Sequence, residues 1–298
     1  MGKYAELGTT IAELATAKMV DQYNAVDYTS SQPDYTSADF EKYFADIPGL
    51  LSPYDEAPLP SGFSSMLGSA SDLVHTLSRG ELPDPPYNEG LPDYSNKEFD
   101  DFKTVQGFID NWDGAAAESF NEQFLIHAET YVKNQYLMAA MVHNAIACEQ
   151  EIWNNTLKSL DDIAEKTTSA LESYSPGGGG SLDLTLGVIG TVIGVATGGP
   201  VRVAVLFAAA FDVFSSAATA DFGETASIFM IVDGLRDGIA QLKVDTTSEE
   251  EKLVQLIEAN TSYLTSHRDD FVAERGAWDI QDIQPGEAGG AGGLGNPR

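Results

Sequence analysis

One cysteine, Cys148, stands in a chain of 298 residues. That scarcity excludes an intramolecular disulfide framework and any cysteine-rich zinc site. Positive charge is also in short supply, with 16 lysines and arginines against 46 acidic residues and a net charge of −30. Such a surface repels phosphate backbones at long range, so nucleic acid is not an expected partner. No acidic tail accounts for the imbalance: residues 1–100 carry 17 acids and 5 bases, residues 101–174 carry 12 and 4, and residues 175–298 carry 17 and 7. The four histidines (His75, His127, His143, His267) sit in no metal-ligand spacing. No serine or cysteine occupies a nucleophile elbow. The glycine-rich stretch 187–199 lacks both the Lys-Ser/Thr of a phosphate loop and the acidic residue of a dinucleotide site. The sequence therefore predicts no catalytic residues, no cofactor and no metal. Met1–Leu7 has no basic stretch followed by an apolar core, so an ordinary secretory signal is not expected.

Proline is unevenly spread. Nine of 13 prolines fall between Pro33 and Pro92, and none lies between Pro92 and Pro176. The first span should be rich in turns, while the second is free to be continuous helix. Ahead of the prolines, Tyr4–Ala25 has Leu7, Ile11, Leu14, Ala15 and Met19 at helical spacing. A shorter helix is expected over Phe63–Leu77, with Met66, Leu67, Leu73, Val74 and Leu77 as its apolar positions, flanked by irregular chain around Pro48–Pro60 and Leu82–Pro92.

Residues 98–174 hold the clearest pattern. Phe99, Phe102, Val105, Phe108 and Ile109 form an apolar stripe that runs into Asn111-Trp112-Asp113-Gly114. A second helix should begin there and continue to Tyr174. Its seam reads Phe120, Phe124, His127, Tyr131, Asn134, Met138, Met141, Ala145, Cys148 and Ile152, then slips and resumes at Leu157, Leu160, Ala164, Thr167, Leu171 and Tyr174. Alternating three- and four-residue steps over this length predict coiled-coil-like packing. Some 60 helical residues would span roughly 90 Å, so an elongated molecule is expected. Gly114 can supply the backbone freedom of the turn, and Ala115–Ala117 allow close approach of two helices.

Val105 to Phe120, with Trp112 and Gly114 at the corner and a long amphipathic helix behind, resembles the WXG family of type VII (ESX) secretion proteins, in particular its larger actinobacterial-type members with extra helices. The resemblance covers about residues 98–174. It implies a helical hairpin that pairs with itself or with a WXG-type helical partner. It also implies export by an ESX secretion ATPase, from the cytoplasm to the medium or cell surface, without a signal peptide. Trp112 and Gly114 would shape the hairpin tip. Phe120, Phe124, Tyr131, Met138, Met141 and Ile152 would form either the intramolecular bundle or a dimer interface. Family members normally carry Tyr-x-x-x-Asp/Glu after the second helix; here that region has none, and the candidate export motif is Tyr23 with Asp27, at the end of the first helix.

The helix should stop at Ser175-Pro176 and the four glycines that follow. Leu184–Val201 then contains no charged residue, and only Arg202 and Asp212 interrupt the apolar run to Ala220. Glycines 190, 194 and 198 recur every four residues, and Gly198-Gly199-Pro200 splits the run into two arms. Two uses are open for residues 184–220: a buried helical hairpin, or a hairpin that enters a membrane after export in a pore-forming-like manner. Helices over Thr225–Leu242 and Ser248–Glu274 would cover it.

The expected architecture is all-α, an elongated helical bundle built on a Trp-x-Gly hairpin. Its segments are N-terminal helices and a Pro-rich connector (1–97), the hairpin (98–176), an apolar helical hairpin with covering helices (181–280) and a disordered tail (281–298). The expected function is that of a non-enzymatic secreted substrate acting through helix association. The alternatives are the membrane-active factor and a cytosolic helical scaffold in which Trp112 only packs.

Overall fold

A computed structural model describes residues 2–25, 35–78, 104, 107–108, 112–114, 118, 120–175, 183–186, 193–196, 205–208, 218–221, 227–272 and 296–297. Among the described residues the bounded α-helices are α1 (Lys3–Ala25), α2 (Ser37–Phe44), α3 (Ile47–Leu51), α4 (Ser64–Leu77), α5 (Ile126–Ser173) and α6 (Ile228–Ser266). Single turns of 3-10 helix occupy Ser52–Glu56, Pro60–Phe63 and Arg268–Asp270, and a π turn, Asn121–Leu125, leads into α5. Extended pairs among the described residues are short: β1 (Trp112–Asp113), β2 (Asp183–Leu186), β3 (Ile193–Ala196), β4 (Val205–Ala208), β5 (Ala218–Asp221) and β6 (Asn296–Pro297). The fold class is all-α, as expected. None of the described helices is long and apolar enough to cross a membrane.

The chain divides into two compact units, each discontinuous in sequence. The first comprises Met1–Gly62, Glu149–Val192 and Ala210–Lys252; the second comprises Phe63–Cys148, Ile193–Ala209 and Leu253–Arg298. Both α5 and α6 contribute to the two units, so the packed units are not the contiguous segments that composition suggests.

In the first unit α1 buries Tyr4, Gly8, Ile11, Ala15, Thr16 and Met19. That stripe has the expected period, but it includes Gly8 and Thr16 while Leu7 and Leu14 are only half-buried. The reason lies in what α1 meets. A Cβ on Gly8 would fall 2.7 Å from Pro48 Cα, so the missing side chain is what lets α3 lie against α1. The first backbone N–H groups of α1 need acceptors. Asp55 supplies them, accepting from Tyr4 N at 2.8 Å and Ala5 N at 3.0 Å, and its negative charge suits a helix N-terminus. At the other end Lys18 Nζ donates to the carbonyls of Glu172 and Tyr174, completing the C-terminus of α5. Lys3 meets Asp161 at 2.7 Å, so α1 runs parallel to the last turns of α5.

α6 runs antiparallel to α5 and is locked to it by a buried hydroxyl pair. Thr156 Oγ1 and Thr246 Oγ1 lie 2.9 Å apart, and each is also 2.8 Å from the carbonyl one turn earlier, Ile152 and Leu242 respectively. Two hydroxyl protons serve three hydrogen-bond positions, so both hydroxyls stay in use in either orientation. This pair also explains a correction. Helices were expected to break near residues 243–247, whereas α6 is continuous, because Thr246 bonds back to its own helix and packs at the interface instead of ending it.

Within the span Pro48–Pro60, where irregular chain was expected, residues 48–56 are helical and residues 57–59 are irregular. Pro48 and Pro53 stand in the first turns of α3 and of the 3-10 turn, where no intrahelical N–H is required of them. The N-terminus of α2 is closed by Asp39, whose carboxylate accepts from Thr36 N at 2.8 Å and Thr36 Oγ1 at 2.9 Å, and both bonds hold its carboxyl below the usual range.

In the second unit Val74 and Leu77 of α4 pack on Tyr136, Leu137, Ala139 and Ala140 of α5. Of the expected apolar positions on α4, Met66 and Leu73 are exposed. Gln135 Nε2 donates to the carbonyl of Phe271 at 2.8 Å, and the Phe271 ring meets Tyr263 edge-on at 6.3 Å.

The apolar segment 184–220 departs from expectation wherever it is described. β2 pairs antiparallel with β5, Asp183 opposite Asp221 and Leu186 opposite Ala218. β3 pairs antiparallel with β4, Ile193 opposite Ala208 and Ala196 opposite Val205. The paired residues are extended, not helical, and the predicted Gly198-Gly199-Pro200 break lies outside the described residues. Nine of the 18 residues from Leu184 to Val201 are β-branched and five are glycine. Both types disfavour helix, and β-branched residues favour strand. The remaining residues of 184–220 lie outside the described set, as do most of 281–298. Within that expected disordered tail, Asn296 and Pro297 pair with Asp113 and Trp112.

Candidate functional site

Trp112, Asp113 and Gly114 lie between described helical residues. Thr104, Gly107 and Phe108 are helical, Trp112 and Asp113 are extended, and Glu118 and Phe120 are helical again. Gly114 has φ of 106°, the one positive φ among the described residues. An L side chain is strained there, so glycine is required by the backbone itself.

The expected seam is only partly a packed face. Met141 and Ile152 are buried, and so are Cys148, Leu160, Thr167 and Leu171. Phe120, Tyr131 and Met138 are half-buried. Phe124 is 38% exposed and His127 is also on the surface, whereas Leu125 and Ala128 are buried in their place. The π turn explains this correction. It holds more residues than an α turn, so the face that enters α5 is displaced by one position from the one extrapolated backward. Phe124 stacks at a tilt on Phe120, 5.2 Å between centroids, and His127 lies 6.0 Å from the Tyr131 ring. No group of histidine, cysteine and acidic residues among the described residues could hold a metal.

Of the candidate export motif, Tyr23 is described and Asp27 is not. Tyr23 is half-buried in the last turns of α1, its ring 5.2 Å from Tyr35 and 5.1 Å from Phe40. The three rings form a cluster that ties the end of α1 to α2.

A second site escaped sequence analysis. In the first unit a cleft of about 600 Å³ opens between the 3-10 turn at Ser52–Glu56 and α6. Its apolar walls are Pro53, Tyr54, Pro58, Trp153 and Ile239, and its charged lining includes Glu56, Arg236, Lys243 and Glu250. The Trp153 indole N–H donates to Glu149 Oε1 at 3.0 Å. Burial, and secondarily the nearby Glu149 carboxylate, push the Glu250 carboxyl upward. Burial likewise raises the Tyr54 phenol. The residues come from three separate stretches of chain, which is why no local motif announced them.

Arg236 is committed to structure. Its Nε and Nη2 donate to the two oxygens of Asp46 at 2.9 and 2.8 Å, Nη2 also donates to the Tyr43 carbonyl at 2.9 Å, and Nη1 donates to Asp233 at 2.8 Å. These bonds raise the guanidinium further and hold the Asp46 carboxyl below its usual range. Because the folded Asp46 value is depressed, its contribution is present above the unfolded value of about 3.9 and is lost as pH falls through the folded one. Both side chains are partly exposed, so the contribution is modest, on the order of 1 kcal/mol. Urea midpoints followed downward from about pH 5 should therefore fall more steeply for the wild type than for Asp46→Asn; parallel curves would show that the ion pair contributes nothing.

No protein family, curated protein or solved structure matches the chain.

Proposed function

We propose that the protein is a non-enzymatic substrate of a type VII (ESX) secretion apparatus that acts through helix-mediated association with itself or a helical partner. Export would follow a signal-peptide-independent route driven by the secretion ATPase. The observation that carries this reading is the φ of 106° at Gly114. It supports a corner two residues after Trp112, between helical residues, and the helix beyond it runs for 48 residues. Phe124 and Ile126, exposed near the start of that helix, offer apolar side chains to a partner.

Export is tested in a host that carries an ESX apparatus. The protein should accumulate in the medium and vanish from it when the secretion ATPase is deleted. Equal abundance in both strains would leave the cytosolic scaffold. The corner itself is tested by Gly114→Ala, which forces an L residue into a strained region at a cost of about 1–3 kcal/mol. Thermal unfolding should register that loss, and export should fall with it. An alanine variant as stable and as well exported as the wild type would remove the corner from the mechanism.

A further inference from the structure

The cleft beside Trp153 has a charge pattern that its own structural bonds do not neutralise. Two carboxylates, Glu56 and Glu250, line it with two cations, Arg236 and Lys243, and three more carboxylates, Asp46, Glu149 and Asp233, bond to lining residues from outside. Arg236 is held by Asp46 and Asp233 and by the Tyr43 carbonyl, so its charge is spent on the fold. Lys243 is exposed at the rim. Burial, and secondarily the Glu149 carboxylate on the facing helix, oppose ionisation of Glu250. A cation between or beside the two carboxylates would relieve that repulsion, and in a partly desolvated cleft the attraction exceeds its value in bulk water.

The remaining walls suit the rest of such a ligand. Trp153 and Tyr54 present aromatic rings, with Pro53, Pro58 and Ile239 completing an apolar surface. Indole is the preferred face for a cation among aromatic side chains. The volume of about 600 Å³ lies within the range of small-molecule sites. An anion would face the carboxylates, and a purely apolar ligand would leave them facing one another.

We propose that this cleft is a binding site for a small organic cation, an alkyl- or arylammonium, with its charge toward Glu250 and Glu149 and its apolar part against Trp153 and Tyr54. The site is independent of the route by which the protein travels.

The probe is benzyltrimethylammonium, with benzyl alcohol as the neutral comparison, added to the full-length protein. Binding is read from the Trp153 indole N–H resonance, assigned by its loss in Trp153→Phe. The cation should produce a saturable shift, and benzyl alcohol should bind at least about tenfold more weakly. Glu250→Gln and Glu149→Gln should each weaken cation binding severalfold without affecting benzyl alcohol. Neither substitution removes a core group, and unchanged thermal unfolding confirms the fold. Equal binding of the two probes, cation binding indifferent to both glutamine variants, or no saturable shift in any resonance at millimolar probe would each overturn the proposal.

Discussion

Ile152→Asp is expected to unfold the first unit at temperatures where the wild type is fully folded. Ile152 has no exposed surface, and it sits where α5 packs beneath the Thr156–Thr246 pair. The substitution removes a buried aliphatic side chain and leaves a carboxylate with no designed partner. Each fault is costly alone, and together they should exceed about 4 kcal/mol. Phe124→Asp makes the same chemical change on the same helix, at a residue the sequence pattern assigns to the same seam. Phe124 is 38% exposed, so the loss there is limited to its ring contact with Phe120, on the order of 1 kcal/mol. Urea denaturation of the two variants measures the contrast. Similarly small losses would mean that the monomer does not bury Ile152, and would move it to an interface between molecules.

Gly8→Val should be nearly as damaging, for a different reason. The first added atom would lie 2.7 Å from Pro48 Cα and 3.1 Å from the Ile47 carbonyl oxygen. Both are backbone atoms of α3 and cannot swing aside as a side chain would. Overpacking of this kind costs about 1–3 kcal/mol for small additions, and the branched methyls of valine add to it. Gly8→Ala is the sharper test. Alanine gains up to about 1 kcal/mol of helix propensity over glycine, so in an open position it would stabilise α1. Here the clash should outweigh the gain and lower the midpoint. An alanine variant more stable than the wild type would show that α3 can retreat freely, and that its seat against α1 contributes little.

Much of the helical content was legible because it is periodic. The α1 stripe and the buried half of α5 from Met141 to Leu171 follow three- and four-residue steps that any packed helix must show. The glycine at position 114 has a local reason: its φ is one that L residues rarely adopt. Other signals were present but weaker than the prolines around them. Thr36-x-x-Asp39 marks the start of α2, and Pro48 in the first turn of α3 is compatible with helix. The π turn was not legible, and it moved Phe124 out of the seam and Leu125 into it. In 184–220 the helical expectation fails at the described residues because β-branched side chains favour extended pairing.

The sequence by itself determined the all-α class, the acidic surface and which stretches could sustain long helices. Each follows from neighbours along the chain: residue spacing or propensity. Tertiary structure decided the rest. It chose Gly8 over Leu7 for the buried face of α1, kept α6 continuous through Thr246, and assembled a cleft from Tyr54, Trp153 and Glu250. These choices depend on what lies across from each residue, and a one-dimensional pattern holds no distance between residues a hundred positions apart.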